Sequence, residues 1–488
     1  MRKLNVPREV LHVATQLTDA GFEAYLIGGC VRDLLIDKCP KDWDLTTNAT
    51  PEKIQAIFPE SFYENTFGTV GIKTDSTDAT LAIVEVTPYR EEGKYSDARR
   101  PDEVRFADTI IEDLRRRDFT INAIAYEPLK EELVDLHQGI EDIGRKMLRT
   151  VGDPSGRFAE DALRMMRAVR LSAELGFTIE NATLEGIAAN SAHLSKISRE
   201  RIRDEFVKIL NTDSPMQALY IAQKVGLLAH IIPELEEGIG CSQNQAHAFD
   251  VFEHLLRSLQ HAADKKWPLP VRLAALLHDI GKPRTRAHDA KKNDWSFHGH
   301  EVVGAKMAKK ILQNLHFSKE ITDEVVTLIR WHMFFSDPDE ISLSAVRRTI
   351  ANVGEGRIWD LLNLRICDRI GTGRPKEQPF RLRKYISMVE EALRDPISVS
   401  MLKIDGNRIM TIGGEKPSRR LGWVLHALLE EVLDDPAKNS EEYLEERALQ
   451  LLALPENELS ALGEAGKERR SEEDEKEVAA LRKKHHVT

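Results

Sequence analysis

Asp42 and Asp44, one residue apart in "KDWDLT", follow Gly28-Gly29, a glycine pair that ends the apolar run "AYLI". If "DWDL" is a strand, residues i and i+2 face the same way, about 7 Å apart along the backbone. Converging carboxylates suit a hard divalent cation. Mg²⁺ fits best, since it usually takes one or two protein carboxylates and completes its shell with substrate phosphate oxygens. Glycines at the head of a helix let backbone N–H groups approach a phosphate unobstructed, and the helix that would follow carries Arg32 and Asp33. Glu85 in "IVEVT" adds an acid to an otherwise apolar strand, where charge is costly unless it serves a partner. "LRRRDFTINAIAY" then sets Arg115, Arg116, Arg117, Asp118 and Asn122 beside an apolar segment. An isolated Asp-x-Asp is usually a capped turn and a solvated strand face. The third acid and the arginine run shift the reading to metal and phosphate.

Residues 247–368 hold a second constellation. His254, His278-Asp279 in "LAALLHDIGK", His300 in "FHGHEVVGA", His332 in "LIRWHM" and Asp368 in "LRICDR" occur in that order. Each histidine alone reads better as a core or surface residue; the ordered set carries the signal. Imidazole and carboxylate ligands on packed helices suit a divalent metal, Mg²⁺ or a transition ion of unspecified identity, that would activate water against a phosphoester. The order resembles that of HD-domain phosphohydrolases. His247 and His298 are expected to be bystanders or outer partners.

The elements that must position these residues change character along the chain. Residues 1–150 alternate helical and β-like segments, an α+β head, and from about 151 helical periodicity runs almost to the end. Glycines and prolines near 212–216, 232–240 and 371–379 suggest boundaries, giving a head (1–150), a helical neck (151–235), a helical metal-binding domain (236–385) and a helical tail (386–488). The last segment, "GKERRSEEDEKEVAALRKKHHVT", is a mixed charge run expected to be a solvated helix or disorder. The 488 residues, 41% hydrophobic, suffice for several packed cores. The net charge of -11 argues mildly against nucleic acid, but binding needs only a local basic surface, and arginines cluster at 99–100, 115–117, 164–170 and 199–203. No run of about 18 apolar residues is present, so no membrane helix is expected. The N-terminal stretch lacks a signal peptide's apolar centre. Cys30, Cys39, Cys241 and Cys367 form no CxxC pair and read as reduced thiols of a cytoplasmic protein.

"LIGGCVRD…KDWDLTTNATPE", "REEGKYSDARRPDEVRF", "LRRRDFTINAIAY", "RFAEDALRMMRAVRLSAELGF" and "SRERIRDEF" occur in succession over about residues 20–235. They resemble the motifs of class II tRNA nucleotidyltransferases, the CCA-adding enzymes, whose close relatives are bacterial poly(A) polymerases. The resemblance implies a polymerase-beta-like head with a mixed sheet, followed by helical neck, HD domain and tail. It implies that Asp42 and Asp44 hold catalytic Mg²⁺, that Glu85 matches the third acid, and that Gly28-Gly29 cradles the triphosphate of CTP or ATP. Arg115–Arg117 and Asp118 would meet ribose and phosphates, with Arg32 and Asn122 in the same nucleotide-binding set. "EDALR" is expected to start a helix on which Asp161 and Arg164, at i and i+3, share a face. Asp accepts hydrogen bonds and Arg donates them. Cytosine and adenine both offer an amino donor beside a ring-nitrogen acceptor, and uracil and guanine reverse that order, so one Asp/Arg pair can read C and A. In the family the matching residues do so, with Glu160 supporting the arginine; an ordinary intrahelical ion pair is the alternative. Arg167 and Arg170 extend a basic stripe suited to RNA phosphates, part of which could instead bridge to the head.

The stretch 90–106 resembles the flexible loop of enzymes that add the terminal A, and the signature of poly(A) polymerases is absent from 64–74, which reads "ENTFGTVGIKT". Both favour CCA addition to tRNA over poly(A) polymerase or A-only addition. HD domains appended to such enzymes imply action on 2′,3′-cyclic or 2′-phosphates. A phosphohydrolase with a vestigial transferase head is a further alternative, disfavoured by intact Asp42, Asp44, Asp161 and Arg164. "IDGNRIM" and the segment 421–448 resemble the tail that grips the tRNA elbow. Monomer and dimer both remain open.

Overall fold

The computed structural model describes residues 3–63, 68–92, 104–244, 247–290, 293–334 and 341–463. The centre of the expected loop (93–103), residues 64–67 and the charged end (464–488) lie outside them. The chain divides into two compact units, residues 1–231 and 232–488.

The first unit opens with α1 (Arg8–Asp19), whose Val10, Val13, Ala14 and Leu17 fall on one face and are buried. Then follow β1 (Tyr25–Ile27), α2 (Gly29–Leu35), β2 (Asp44–Thr47), α3 (Pro51–Ile57), β3 (Ser61–Tyr63), β4 (Val70–Lys73), β5 (Ile83–Pro88), β6 (Arg90–Glu92), β7 (Val104–Phe106), α4 (Ile110–Arg115), β8 (Ile124–Glu127), β9 (Glu132–Asp135) and α5 (Gly139–Gly144). A seven-stranded mixed sheet runs β3-β4-β5-β2-β1-β8-β9. Only β2 and β5 pair in parallel within it, with Asp44 opposite Glu85; β6 and β7 form a separate two-stranded pair. Leu26, Leu45, Val84, Val86 and Tyr126 join the buried core against α1.

The strand expected at "DWDL" begins two residues late. Asp42 lies in an exposed bend and Trp43 is buried ahead of Asp44, the first residue of β2. The two aspartates are therefore not i and i+2 on one regular strand.

The rest of the first unit is helical apart from a short parallel pair, β10 (Met147–Leu148) with β11 (Thr178–Ile179). Its helices are α6 (Pro154–Glu160), α7 (Leu163–Leu175), α8 (Asn181–Asn190), α9 (Arg199–Leu210), α10 (Pro215–Lys224) and α11 (Leu228–Ile231). "EDALR" does not start a helix. It spans a break between α6 and α7, with Asp161 extended at φ -139°, ψ 107°. The Asp161 carboxylate accepts from the Leu163 N–H at 3.0 Å, the local capping bond that lets aspartate compete with a continuous helix.

In the second unit, α12 (Val251–Asp264), α13 (Leu269–Leu277), α14 (Lys282–Thr285), α15 (His300–Asn314), α16 (Lys319–Trp331), α17 (Leu343–Val353) and α18 (Ile358–Gly371) come first. One departure from an all-helical domain is a hairpin, β12 (Ala287–Asp289) with β13 (Asp294–Ser296). After α19 (Phe380–Ala392), α20 (Gly406–Gly413), α21 (Arg419–Asp434) and α22 (Glu441–Leu452) bury Ile409, Val424, Leu428 and Leu444 in a core of their own. Buried Arg347 of α17 donates to the Leu433 carbonyl at 2.7 Å and pairs with Asp395 at 2.8 Å, tying that core to the preceding helices. Among the described residues no helix is long and apolar enough to cross a membrane, and all four cysteines are free.

Candidate functional site

Gly28 caps α2 with φ 78°, ψ -133°, a conformation glycine adopts without cost. A Cβ there would stand 3.3 Å from Arg117 Nη1 and 3.8 Å from Asp44 Oδ2. The Gly28-Gly29 turn, an acid and a guanidinium are thus gathered at one point. Asp42 and Asp44 both act on the buried Cys30 thiol. Burial, then the Asp44 charge and more weakly the Asp42 charge, push it up to about 12. Asp42, Asp44 and Glu85 do not close into a tight cage, since the groups with ligand atoms within 4.8 Å of one another lie elsewhere among the described residues. An open set of this kind fits Mg²⁺, whose remaining positions go to substrate oxygens. Arg32 is buried beside the turn, donating to Asn122 Oδ1 at 2.7 Å and pairing with Asp33.

The arginine run ends α4, which the Thr109/Glu112 capping box starts. Arg115 is exposed. Arg116 and Arg117 both pair with buried Asp113, at 2.7 and 3.0 Å. Burial pushes the Asp113 carboxyl up, but Arg117 and Arg116 outweigh it and hold it below its usual range. Asp113 was not singled out from the sequence, although its i+3 and i+4 spacing to the two arginines is the signal for it. Asp118 accepts from the Phe119 N–H and from Asn122 and pairs with Arg167 at 2.7 Å. Burial would raise its carboxyl; Arg167 and Arg164 with the hydrogen bonds bring it down to about 2.

Glu160 takes Arg164 in a short ion pair and Arg157 at 2.9 Å. Arg164 also donates to the Arg116 carbonyl at 3.3 Å, joining the α6–α7 break to the arginine run. Asp161 pairs with Arg201 of α9 at 2.8 Å and lies in the break ahead of α7, so it does not share a helix face with Arg164. Of the stripe on α7, Arg167 is engaged with Asp118, while Arg170 is clamped between Glu174 and buried Glu205. Through these ion pairs the two arginines tie α7 to the head and to α9. Arg201 is a partner the sequence reading missed, being forty positions from Asp161.

The six expected residues of the second constellation come together, all buried. They form two groups that share Asp279: His254, His278, Asp279 and Asp368, and Asp279, His300 and His332. Asp279 Oδ2 lies 3.1 Å from His254 Nε2 and 3.4 Å from His278 Nε2, and its Oδ1 lies 3.1 Å from His300 Nε2 and 3.6 Å from His332 Nε2. Close approach of α18 to α12 permits this; a Cβ on Gly371 would meet the His254 carbonyl at 2.8 Å. The Nδ1 atoms of His278, His300 and His332 face the carbonyls of Ala275, Phe297 and Ile329 at 3.0, 2.7 and 2.6 Å. That assigns the ring proton to Nδ1 and directs the Nε2 lone pairs inward. The Nε2 lone pairs of His300 and His332, 3.3 Å apart, repel unless a cation lies among them, and His254 Nε2 stands 3.0 Å from His278 Nε2, so the donor set fits metal. Without one, burial disfavours a charged His278, but Asp279 and Asp368 raise it to about 9, while burial lowers His254 and His332. Metal would replace such a proton.

Lys282, also missed, is buried with its ammonium 2.5 Å from Asp279 Oδ2 and 2.7 Å from Gln243 Oε1. His247 sits at the edge of the same cavity, lowered to about 4 by burial and by Lys282; His298 lines it too.

Residues 24–149 match the poly A polymerase head domain, 176–239 the probable RNA- and SrmB-binding site of polymerase A, and 251–368 the HD domain. A CCA-adding enzyme of Lactobacillus helveticus (strain DPC 4571) is 32% identical over 456 residues, covering 90% of this chain and 96% of its own. That of Limosilactobacillus reuteri (strain DSM 20016) is 45% identical over 210 residues, 42% of this chain and 50% of its own. The crystal structure of the Bacillus stearothermophilus CCA-adding enzyme in complex with CTP superposes with a TM-score of 0.68 at 25% identity, covering 91% of this chain and 96% of that one. With its head, helical neck and HD domain in that order, the chain belongs to the CCA-adding enzyme family and is a nucleotidyltransferase.

Proposed function

We propose that this protein adds C, C and A to the 3′ end of tRNA from CTP and ATP without a nucleic-acid template, and that its HD site hydrolyses 2′,3′-cyclic or 2′-phosphates of RNA. Residues 1–150 act as the catalytic head, 151–235 as the base-reading neck, 236–385 as the HD domain and 386–488 as a tRNA-binding tail, in the cytoplasm. The observation that carries the transferase reading is the gathering of Asp44, the Gly28 turn and Arg117, hydrogen-bonded through the Arg116 carbonyl to Arg164.

Asp42 and Asp44 would hold Mg²⁺, with Glu85 opposite Asp44 on the neighbouring strand. Bound there, Mg²⁺ would supply the charge that acidifies the RNA 3′-hydroxyl and offsets that of the departing pyrophosphate. The protein's own groups do the positioning. The Gly28-Gly29 backbone admits the triphosphate, and Arg115 and Arg117 supply charge. Asp118, fixed by Arg167, stays an ionised acceptor for the ribose. Arg164, aimed by Glu160, donates to the ring nitrogen of C or A, and Asp161 accepts from the amino group.

At the HD site, His254, His278, Asp279, His300, His332 and Asp368 would hold a divalent metal, which would supply an activated water against the phosphoester. Replacing Asp42 or Asp44 by alanine tests the transferase assignment. Nucleotide addition should vanish while tRNA binding, supplied by basic surface elsewhere, is nearly kept. Near-normal turnover in either variant would remove the carboxylates from the chemistry.

A further inference from the structure

The cavity over the histidine cluster is larger than a phosphate needs. It encloses about 1040 Å³, at the upper end of the range for small-molecule pockets. Its floor holds Asp279, His300, His332 and Asp368, and Arg365, Arg369, Arg374 and Arg381 also line it. Arg365 and Arg369 are i and i+4 on α18, a like-charge spacing that weakens a helix by itself. Asp368 takes Arg365 at 2.5 Å. Arg369 has no such partner: its Nε donates to the Lys376 carbonyl at 2.6 Å, across the turn that follows α18. Among the described residues neither Arg369 nor Arg374 pairs with a carboxylate. Phe380, the first residue of α19, lines the same cavity while 66% exposed. A bare ring beside guanidiniums is the combination that takes up single-stranded nucleic acid, base on ring and phosphate on cation.

A substrate carrying only the reacting phosphoester would use the floor and leave these groups idle. We propose that the HD pocket holds the last two nucleotides of an RNA strand, with the terminal phosphoester over the His–Asp floor, the internucleotide phosphate between Arg369 and Arg374, and a base against Phe380. This rests on the phosphohydrolase reading of the site and adds that the pocket grips the nucleotide next to the end, through Arg369, Arg374 and Phe380, as well as the terminal phosphoester. In the reaction, water adds across one P–O bond of a 2′,3′-cyclic phosphate, its oxygen joining phosphorus and its proton ending on the released ribose oxygen. The arginines hold the neighbouring phosphate and take no part in bond exchange.

The test compares kcat/KM of the full chain on adenosine 2′,3′-cyclic phosphate and on a trinucleotide ending in the same cyclic phosphate. The wild type should prefer the trinucleotide. Arg369→Gln/Arg374→Gln should erase roughly tenfold or more of that preference, the scale of one charge-assisted phosphate contact, mostly through KM; Phe380→Ala should erase a few-fold. Equal losses on both substrates would put the arginines on the reacting phosphate, and an unchanged preference would leave them as surface charge; either result overturns the proposal. If the wild type hydrolyses neither substrate, the phosphohydrolase reading fails, and calorimetric binding of a trinucleotide ending in a 3′-phosphate decides the pocket. Binding roughly tenfold weaker in the double variant sustains the proposal, and equal binding sinks it.

Discussion

The Asp161 carboxylate and the Arg201 guanidinium are joined at 2.8 Å, from the α6–α7 break to α9. Asp161 Oδ1 is meanwhile held by the Leu163 N–H. A carboxylate has about four lone-pair sites, so it keeps acceptor capacity for a base amino group while its orientation is fixed. If Asp161 reads the base, Arg201 would position it for that choice. Arg201→Met should raise UTP and GTP incorporation relative to CTP by several-fold, less than loss of Asp161 itself, with Mg²⁺ dependence unchanged. Selectivity equal to wild type would confine Arg201 to stability.

Asp161→Ala removes the acceptor outright. A good bidentate contact discriminates by about 1–3 kcal/mol, so misincorporation of UTP and GTP should rise roughly ten- to a hundredfold. The check is single-nucleotide addition with each of the four NTPs. An equal fall for all four would make Asp161 a structural residue.

Gly28→Ala asks for φ 78° from a residue with a side chain and presses a methyl to 3.3 Å from Arg117 Nη1. The strain costs about 1 kcal/mol or more of stability. Nucleotide addition should fall further than thermal stability does, with KM for CTP rising. A fully active, equally stable variant would mean that the turn has no part in binding.

Asp118 supplies the pH prediction. Its carboxyl is lowered from 3.8 to about 2 in the folded chain, a shift corresponding to roughly 2 kcal/mol. Because the folded group titrates below the free one, this stabilisation is fully present above the ordinary value near 3.8 and is lost as the pH falls through about 2. The difference in thermal stability between wild type and Asp118→Asn should hold steady from pH 7 down to about pH 4 and shrink only below that. A gap that closes between pH 6 and pH 4 would contradict the Arg167 and Arg164 account.

His278→Ala/Asp279→Ala should strip metal from the second unit, read by elemental analysis, and spare nucleotide addition, since the residues assigned to addition lie in the first unit. Full metal content in the folded variant would break the ligand assignment.

What could be read from the chain depended on how far apart partners lie in it. Gly28, Asp44 and Arg117 announce themselves by residue type and short spacing, and the HD residues by their order. The break at Asp161 is hidden because "EDALR" reads as helix, and its cause lies elsewhere: a capping bond to Leu163 and an arginine on α9. The late start of β2 follows from Asp42 being solvated in a bend, which alternation of residue types does not reveal. Lys282 and Asp113 were within reach, each three residues from an ionic partner. The β12–β13 hairpin, three residues a side, is too short and polar to leave a periodic trace.

The central claim is template-free synthesis of CCA, and the most direct measurement is incubation of the pure protein with tRNA lacking CCA and each NTP, alone and combined. CTP alone should add two cytidines, CTP with ATP should add C, C and A and then stop, and UTP and GTP should add almost nothing. Runs of adenosine from ATP alone, or addition of a single A only to tRNA already ending in CC, would contradict the account.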